Sequence, residues 1–463
     1  MHNRLIENYI FFRLRLKSTL LAILLVCAGL TSVTAFAGNP PTYPITTYVE
    51  LCDVINSPSP EEFKRFGKIF KNSDGWLVSE KLDLKIDYEP LSEQEVSNLS
   101  RFVSLLHQRN IDLIVVPTPP RGLIFKEEMG NLSADFDVSL LNAQFELLIA
   151  DIQPLGEVIN AINLPDAPPK NLFYKSSIDW TPSGAKWFSE RIVERLTRKD
   201  SQYPITLKAK AAGLVSAGGA IRSYVESVCN KALKPEYSIG FAATDYSHGD
   251  YLDLKIAVLG DRLVQQERFQ FSELLSAATA SKVLNYARSE GSQQWGWLRL
   301  IDDIINQAVD VNTIIWQFQV SDGFASSQLF SQLIPALNGG CSSVAQSTQS
   351  SFIINMNAPS TELLVDKSVA RFSSPTLTAE LTFINTQVQS VDLTLWFDNG
   401  SSKNITLSRA FTRNDKILFY IDFSTLVMPK NSRLLALVVE NVELAAGTNP
   451  DIVNAGLKLC SQQ

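Results

Sequence analysis

The alternation of apolar and polar positions divides the chain into two regions with different periods. From about residue 50 to 335 the pattern switches between helical and strand spacing. Ser92 followed by Glu95 has the form of a capping box. The apolar positions Val96, Leu99, Phe102, Val103 and Leu106 then recur at helical spacing and predict an amphipathic helix. The run IDLIVVPTPP (111–120) is apolar and stopped by prolines, as expected of a buried parallel strand. Thr181-Pro182 supplies an N-cap and a first-turn proline to a second helix, with Ala185, Phe188, Ile192, Val193 and Leu196 on one face. LKIAVLG (254–260) and TIIWQFQV (313–320) are two further buried-strand candidates. Strands alternating with helices predict an α/β layer fold.

Beyond residue 351 the period becomes two. TAELTFIN, SVDLTLWFDN, NITLSRAF, KILFYIDF and LLALVVENV are short alternating runs, with turn residues such as Asn399-Gly400 and Asn414-Asp415 between some of them. This pattern predicts an all-β sandwich. Residues 336–351, rich in Gly, Ser and Gln, read as a linker between the two regions. In VDLTLWFDN, Val391, Leu393, Leu395 and Phe397 share one face, and Asp392, Thr394, Trp396 and Asp398 share the other. A tryptophan among hydrogen-bonding side chains is a natural platform for a sugar ring, which would lay its C–H face on the indole.

Residues 1–37 have a different character. Arg4, Arg13, Arg15 and Lys17 precede a short apolar run from Leu20 to Gly29, and Ala35-Phe36-Ala37 places small residues before Gly38. This is the form of a cleaved secretory signal peptide and predicts a periplasmic protein. The remaining cysteines, Cys52, Cys229, Cys341 and Cys460, then predict disulfides. Four cysteines allow three pairings; Cys341 with Cys460 and Cys52 with Cys229 would each staple one region. No C-x-x-C pair is present, which disfavours zinc, and no metal or other cofactor is expected. The net charge of −7 disfavours nucleic acid as a partner.

Several phrases in a fixed order carry a family resemblance. They are DGWL (74–77), VVPTPPRG (115–122), WTPSGA (180–185), VLGD (258–261), IIWQF and the β-rich C-terminal region. With these the chain resembles the AlgX/AlgJ family of exopolysaccharide (alginate) O-acetylation proteins. The resemblance implies an SGNH-hydrolase-like α/β domain (38–335), followed by a carbohydrate-binding-module-like sandwich (352–463). It places the four cysteines where the family's two disulfides would be.

The resemblance also implies a Ser-His-Asp triad, with D-x-H just before W-T-P and the serine as G-x-S after the VLG strand. Here the three positions are Ser177, Asp179 and Arg262. Serine needs a neighbouring base to become a nucleophile, and arginine stays protonated at ordinary pH. The substitutions predict a protein that has lost acyl transfer and instead binds an anionic or neutral exopolysaccharide, or scaffolds other periplasmic polysaccharide-biosynthesis proteins. The alternative is an O-acetyltransferase with relocated catalytic residues, for which His248, in a polar loop before the VLG strand, is the candidate. Asp179 and Asp261 could form a glycosidase-like carboxylate pair, but Arg262 beside them predicts a neutralised ion pair.

For sugar binding, Thr394 and Trp396 match the family's β-module pattern. Asp392 stands where a basic residue is expected, and Lys403, Arg409 and Arg413 could compensate. Arg121, after the PTPP strand end, is a candidate contact for a sugar carboxylate.

Overall fold

A computed structural model describes residues 46–47 and most of 65–461. Outside the description lie 1–45, 48–64, 72–73, 130–135, 164–167, 200–208, 244–254, 280, 289–293, 323–326, 345–346, 366–376, 385–387, 409–410, 414–415, 427–431, 446, 448–449 and 462–463. The expected signal peptide, Cys52, His248 and Arg409 fall among these.

The first strands, β1 (Thr46–Thr47), β2 (Ile69–Lys71) and β3 (Leu77–Ser79), form a small antiparallel sheet. The principal sheet of the α/β region is parallel. Its strands are β4 (Asp112–Thr118), β5 (Glu157–Val158), β8 (Ile256–Leu259), β9 (Val283–Asn285) and β10 (Thr313–Gln319), in the order β5-β4-β10-β8-β9. Between them in sequence, β6 (Ala209–Ser216) and β7 (Tyr237–Ala243) pair as a separate antiparallel ribbon.

The continuous apolar runs of the central strands follow from burial on both faces. Leu113 and Val115 of β4 join one core with Ile314, Trp316 and Phe318 of β10. That core is closed by four helices: α1 (Glu93–Gln108), α2 (Val138–Ile152), α6 (Gln294–Ile305) and α7 (Ser327–Leu337). Ile114 and Val116 of β4 and Ile256 and Val258 of β8 face the opposite core. There α3 (Pro182–Lys199) and α5 (Phe271–Thr279) cover the sheet. The expected capping box opens α1: the Ser92 side chain accepts from Glu95 N, and the Glu95 carboxylate accepts from Ser92 N. A shorter helix, α4 (Ala220–Cys229), packs Ile221, Tyr224 and Val225 against Phe66, Ile69 and Leu77.

The β-rich region contains two antiparallel sheets. One has the order β11-β19-β13-β17-β16, built from β11 (Ser347–Asn355), β13 (Leu377–Ile384), β16 (Phe411–Arg413), β17 (Lys416–Asp422) and β19 (Ile452–Ser461). The other has the order β12-β18-β14-β15, built from β12 (Thr361–Val365), β14 (Val388–Phe397), β15 (Ser402–Ser408) and β18 (Leu434–Leu444). A shared core containing Leu381, Phe383, Phe419 and Leu457 from the first sheet and Leu393, Leu395, Leu437 and Val439 from the second fills the space between them.

The stretch 336–351 is not a free tether. It contains the end of α7, a 3-10 turn at Gly340–Ser343 and the start of β11. Gly339 and Gly340 take φ of 80° and 60°, which lets the chain reverse direction. Cys341 is fully buried there and bonded to Cys460. Cys229 is also disulfide-bonded; its expected partner, Cys52, is outside the described residues.

The two regions pack directly on each other. Leu418 and Tyr420 of β17 enter the core beneath α7. The Arg101 guanidinium donates to Asp422 at 2.7 Å, and the Asn98 amide donates to the Thr425 carbonyl at 3.0 Å. The described residues belong to one contact unit spanning 45–463.

Candidate functional site

The carboxyl ends of β4, β10 and β8 lie side by side, the edge where open α/β sheets commonly place their ligands. Gly260, Asp261 and Arg262 follow β8 directly and begin a one-turn helix, Arg262–Gln265. Asp261 caps that turn through Leu263 N at 2.7 Å, and the Gln317 amide donates to its other oxygen at 3.3 Å. The Gln317 amide also reaches Thr118 Oγ1 at 3.0 Å.

The segment 172–181 supplies the other half of the site. Phe173 and Trp180 form an antiparallel bridge; Tyr174 N donates to the Asp179 carbonyl, and Thr181 N to the Leu172 carbonyl. Trp180 is fully buried and its indole N–H donates to the Leu263 carbonyl at 3.1 Å, tying this hairpin to the turn after β8. Thr181 caps α3 through Gly184 N at 3.1 Å. A Cβ on Gly184 would sit 2.2 Å from the Leu172 carbonyl oxygen, so the glycine of W-T-P-x-G-A is required by close packing.

Two charged residues hold the hairpin from behind. Arg121 donates to both Asp83 oxygens at 2.7 Å and to the carbonyls of Leu77, Tyr174 and Ser177 at 2.6 to 2.9 Å. Glu236 accepts from Lys175 N, Ser176 N and Ser176 Oγ. Arg121 is only 1% exposed. Its donors are spent on its own chain, which corrects its assignment as a sugar-carboxylate contact.

The three positions implied by the family resemblance meet at this edge. Asp179 is fully buried, and its Oδ1 lies 2.8 Å from Arg262 NH2. Its Oδ2 accepts from Arg268 NH2 at 3.3 Å. Ser177 is fully buried as well, and its Oγ accepts from Asp179 N at 3.2 Å. Gly219, the N-cap of α4, packs against both: an added Cβ would lie 2.3 Å from Ser177 Oγ and 2.5 Å from Asp179 Oδ2. The expected Asp179–Arg262 pair is present. The sequence reading missed Arg268 and Gly219; Arg268 lies six positions after Arg262, in a 3-10 turn that the helical pattern does not reveal.

The Asp179–Arg262 approach is a charge contact without hydrogen-bond alignment. Arg262 Nε and NH2 and Arg268 Nε are buried and make no hydrogen bond. Chemically, the cluster can hold charge and attract anions. Among the described residues it offers no imidazole or thiol to activate a hydroxyl, and its serine is sealed from solvent. His107 ends α1 on an exposed surface. Among the described residues, no group of three or more His, Cys, Asp or Glu side chains is placed to hold a metal ion, and no helix is long and apolar enough to cross a membrane.

On the β-region, Val391, Leu393, Leu395 and Phe397 of β14 are buried and Trp396 is 44% exposed as expected, but Thr394, expected on the outer face, is buried as well. Trp396 lies between Ser402 of β15 and Ala436 of β18, two small neighbours that leave the indole uncrowded. Beside it, Thr394 donates to Asn404 at 3.0 Å; further along, Asp392 accepts from Thr406 at 2.7 Å and from Asn441 at 3.2 Å. Lys403 sits opposite Leu395 and so shares the core-facing side, away from Trp396. Burial there lowers its pKa, and it does not replace the missing basic residue on the outer face.

The three-layer α/β arrangement, with its site at the carboxyl edge, defines an SGNH-hydrolase-like protein. The family model described as "SGNH hydrolase-like domain, acetyltransferase AlgX" matches residues 69–320, more than half of the chain, and the chain belongs to this family. Alginate biosynthesis protein AlgX of Pseudomonas aeruginosa is 23% identical over 406 residues, covering 83% of this chain and 84% of that relative. The protein of the same name from Pseudomonas fluorescens is 20% identical over 421 residues, covering 86% and 84%. A solved structure, "Structural and functional characterization of Pseudomonas aeruginosa AlgX", superposes with a TM-score of 0.68 at 20% identity, covering 88% of this chain and 97% of that one. That likeness establishes a shared fold extending through the β-region.

Proposed function

We propose that this protein serves exopolysaccharide biosynthesis of the alginate type as a glycan-binding component that has lost acyl transfer. The observation that carries the reading is the buried Asp179–Arg262 ion pair where the family's histidine and serine would stand. Acyl transfer on this scaffold needs a hydroxyl, a base and a clear path between them. Arginine supplies neither nucleophile nor base at ordinary pH, and Ser177 is sealed under Gly219. The relatives' names supply the pathway. The disulfides of Cys341 and Cys229 fit an oxidising compartment such as the periplasm.

The binding surface in this reading is the outer face of β14 in a carbohydrate-binding-module-like sandwich. An exposed indole between two small residues can take a sugar ring on its flat face, with the exposed Asn404, held by the buried Thr394, beside it to meet a hydroxyl group. Titration calorimetry with a defined alginate oligosaccharide tests this. The protein should bind, and Trp396→Ala should weaken binding about tenfold, a loss of about 1.4 kcal/mol. Unchanged affinity in that variant would move the glycan surface elsewhere.

A further inference from the structure

The outer face of the first β-sheet is covered only in part. Leu418 and Tyr420 of β17 lie in the core beneath α7. The rest of that face, over β11, β19 and β13, opens into a cleft of about 670 Å³ that ends against Leu418 and Ser342. Trp396 stands on the outer face of the second sheet, on the opposite side of the sandwich. A cavity of this size, at the junction of two packed regions, is of the kind that takes a small ligand.

Strand register sets the walls and floor of the cleft. Side chains on one face of a sheet recur every second residue, about 7 Å apart. Gln349, Lys458 and Glu380 stand side by side across the three strands and make one wall. Ile353, Asn454 and Ile384 make the other. Between the walls runs a row of small residues, Ser351, Gly456 and Thr382. Gly456 bares the middle of β19: an added Cβ would meet no atom nearer than 3.8 Å, and its backbone is outside the left-handed region. A strand glycine that neither packing nor conformation demands leaves room for another molecule to come close.

The lining has the chemistry of a sugar site. The side chains of Gln349, Ser351, Thr382, Asn454 and Lys458 all line the cleft, and among the described residues they make no hydrogen bond or ion pair. Their hydroxyls and amides both donate and accept, as sugar hydroxyls do. Ile353 and Ile384, 64% and 39% exposed, offer aliphatic surface to the C–H faces of a ring. Lys458 stands opposite Glu380 in register, so the cleft presents no net charge to a polyanion.

We infer that this cleft is a second glycan site, which takes an uncharged stretch of sugar through its hydroxyl groups and ring faces. The choice of a sugar rests on the glycan reading above; the unpartnered polar lining rests on the cleft itself. The polar strand β11, whose Gln349 and Ser351 face the cleft, then has a use beyond its pairing with β19. Sites on opposite faces of the sandwich let one protein hold two stretches of glycan at once.

Calorimetry on the full protein carrying Trp396→Ala tests this, because the β14 face is weakened there. β-1,4-linked mannotriose should bind that protein, and the trimannuronate of the same linkage should bind it no more tightly. Gly456→Val, which fills the notch from a position open to a side chain, should weaken mannotriose about tenfold. Asn454→Ala should weaken it by about three- to tenfold, the loss of one or two hydrogen bonds. Thermal melting checks that each variant is folded. Mannotriose binding by the natural protein that disappears with Trp396→Ala would overturn the second site and leave the β14 reading standing. Binding that persists unchanged with Gly456→Val would overturn its placement in the cleft. Trimannuronate bound in preference to mannotriose, and lost with Lys458→Met, would overturn the uncharged-sugar assignment in favour of an anion site. Failure of the natural protein to bind either sugar would remove both readings.

Discussion

Gly219 turns the chain at φ 111° directly over Ser177 Oγ and Asp179 Oδ2. A side chain there meets two obstacles, an unfavourable backbone region and a contact too short for any Cβ. Gly219→Ala should lower the unfolding free energy by about 1–3 kcal/mol, read as a shifted urea midpoint at unchanged slope. At Arg121 the penalty is larger, because its removal strands a buried Asp83 and frees several carbonyls. Arg121→Ala should cost about 3–5 kcal/mol, and Arg121→Lys should recover only part of this. Neither residue's role could be read from the sequence. Arg121 followed a strand end and had the form of a ligand contact; only the tertiary position of Asp83, thirty-eight residues earlier, makes it an internal clamp. The Asp179–Arg262 pair was legible, because the family resemblance set both residues at one site and opposite charges completed the argument.

The elements that announced themselves were those whose burial pattern is written locally. The capping box, the apolar runs of β4 and β10 and the alternation in β14 each follow from a short window. Strand β11 did not. Its sequence STQSSFIIN is too polar to predict a strand, and it is held by nine paired positions along β19. Long-range pairing overrides weak local propensity there. A different property belongs to the tyrosines that pin elements together. Tyr88 donates to Asp151 of α2, and Tyr286 donates to Asp303 of α6. Burial, followed by the adjacent carboxylate, raises both phenol pKa values above the usual 10. Each raised pKa favours the protonated form in the folded state, so the stabilisation is complete below about pH 10 and is lost as pH rises towards the folded value. Unfolding free energy should therefore fall between about pH 10 and 12, and Tyr88→Phe should flatten that fall. An unchanged alkaline slope in the variant would contradict the assignment.

At the scale of the whole molecule, the α/β layers and the β-region share a boundary made of α7, β17 and the turn at Cys341. The Cys341–Cys460 bond closes a separation of 119 residues. Its loss should cost about 2–5 kcal/mol, seen as a lower melting temperature for Cys341→Ser or on reduction. The same architecture frames the functional account. The hairpin 172–181 is held by Arg121, Glu236, Trp180 and the cap of α3, and its Asp179 faces Arg262 across the site. Turnover of a chromogenic acetyl ester by the purified protein tests this account most directly, set beside a variant carrying Ser177→Asp, Asp179→His and Arg262→Ser. The account predicts no hydrolysis above the uncatalysed rate by the natural protein, whether or not the variant gains activity. Steady turnover by the natural protein would contradict it, and would send the search for a base to His248.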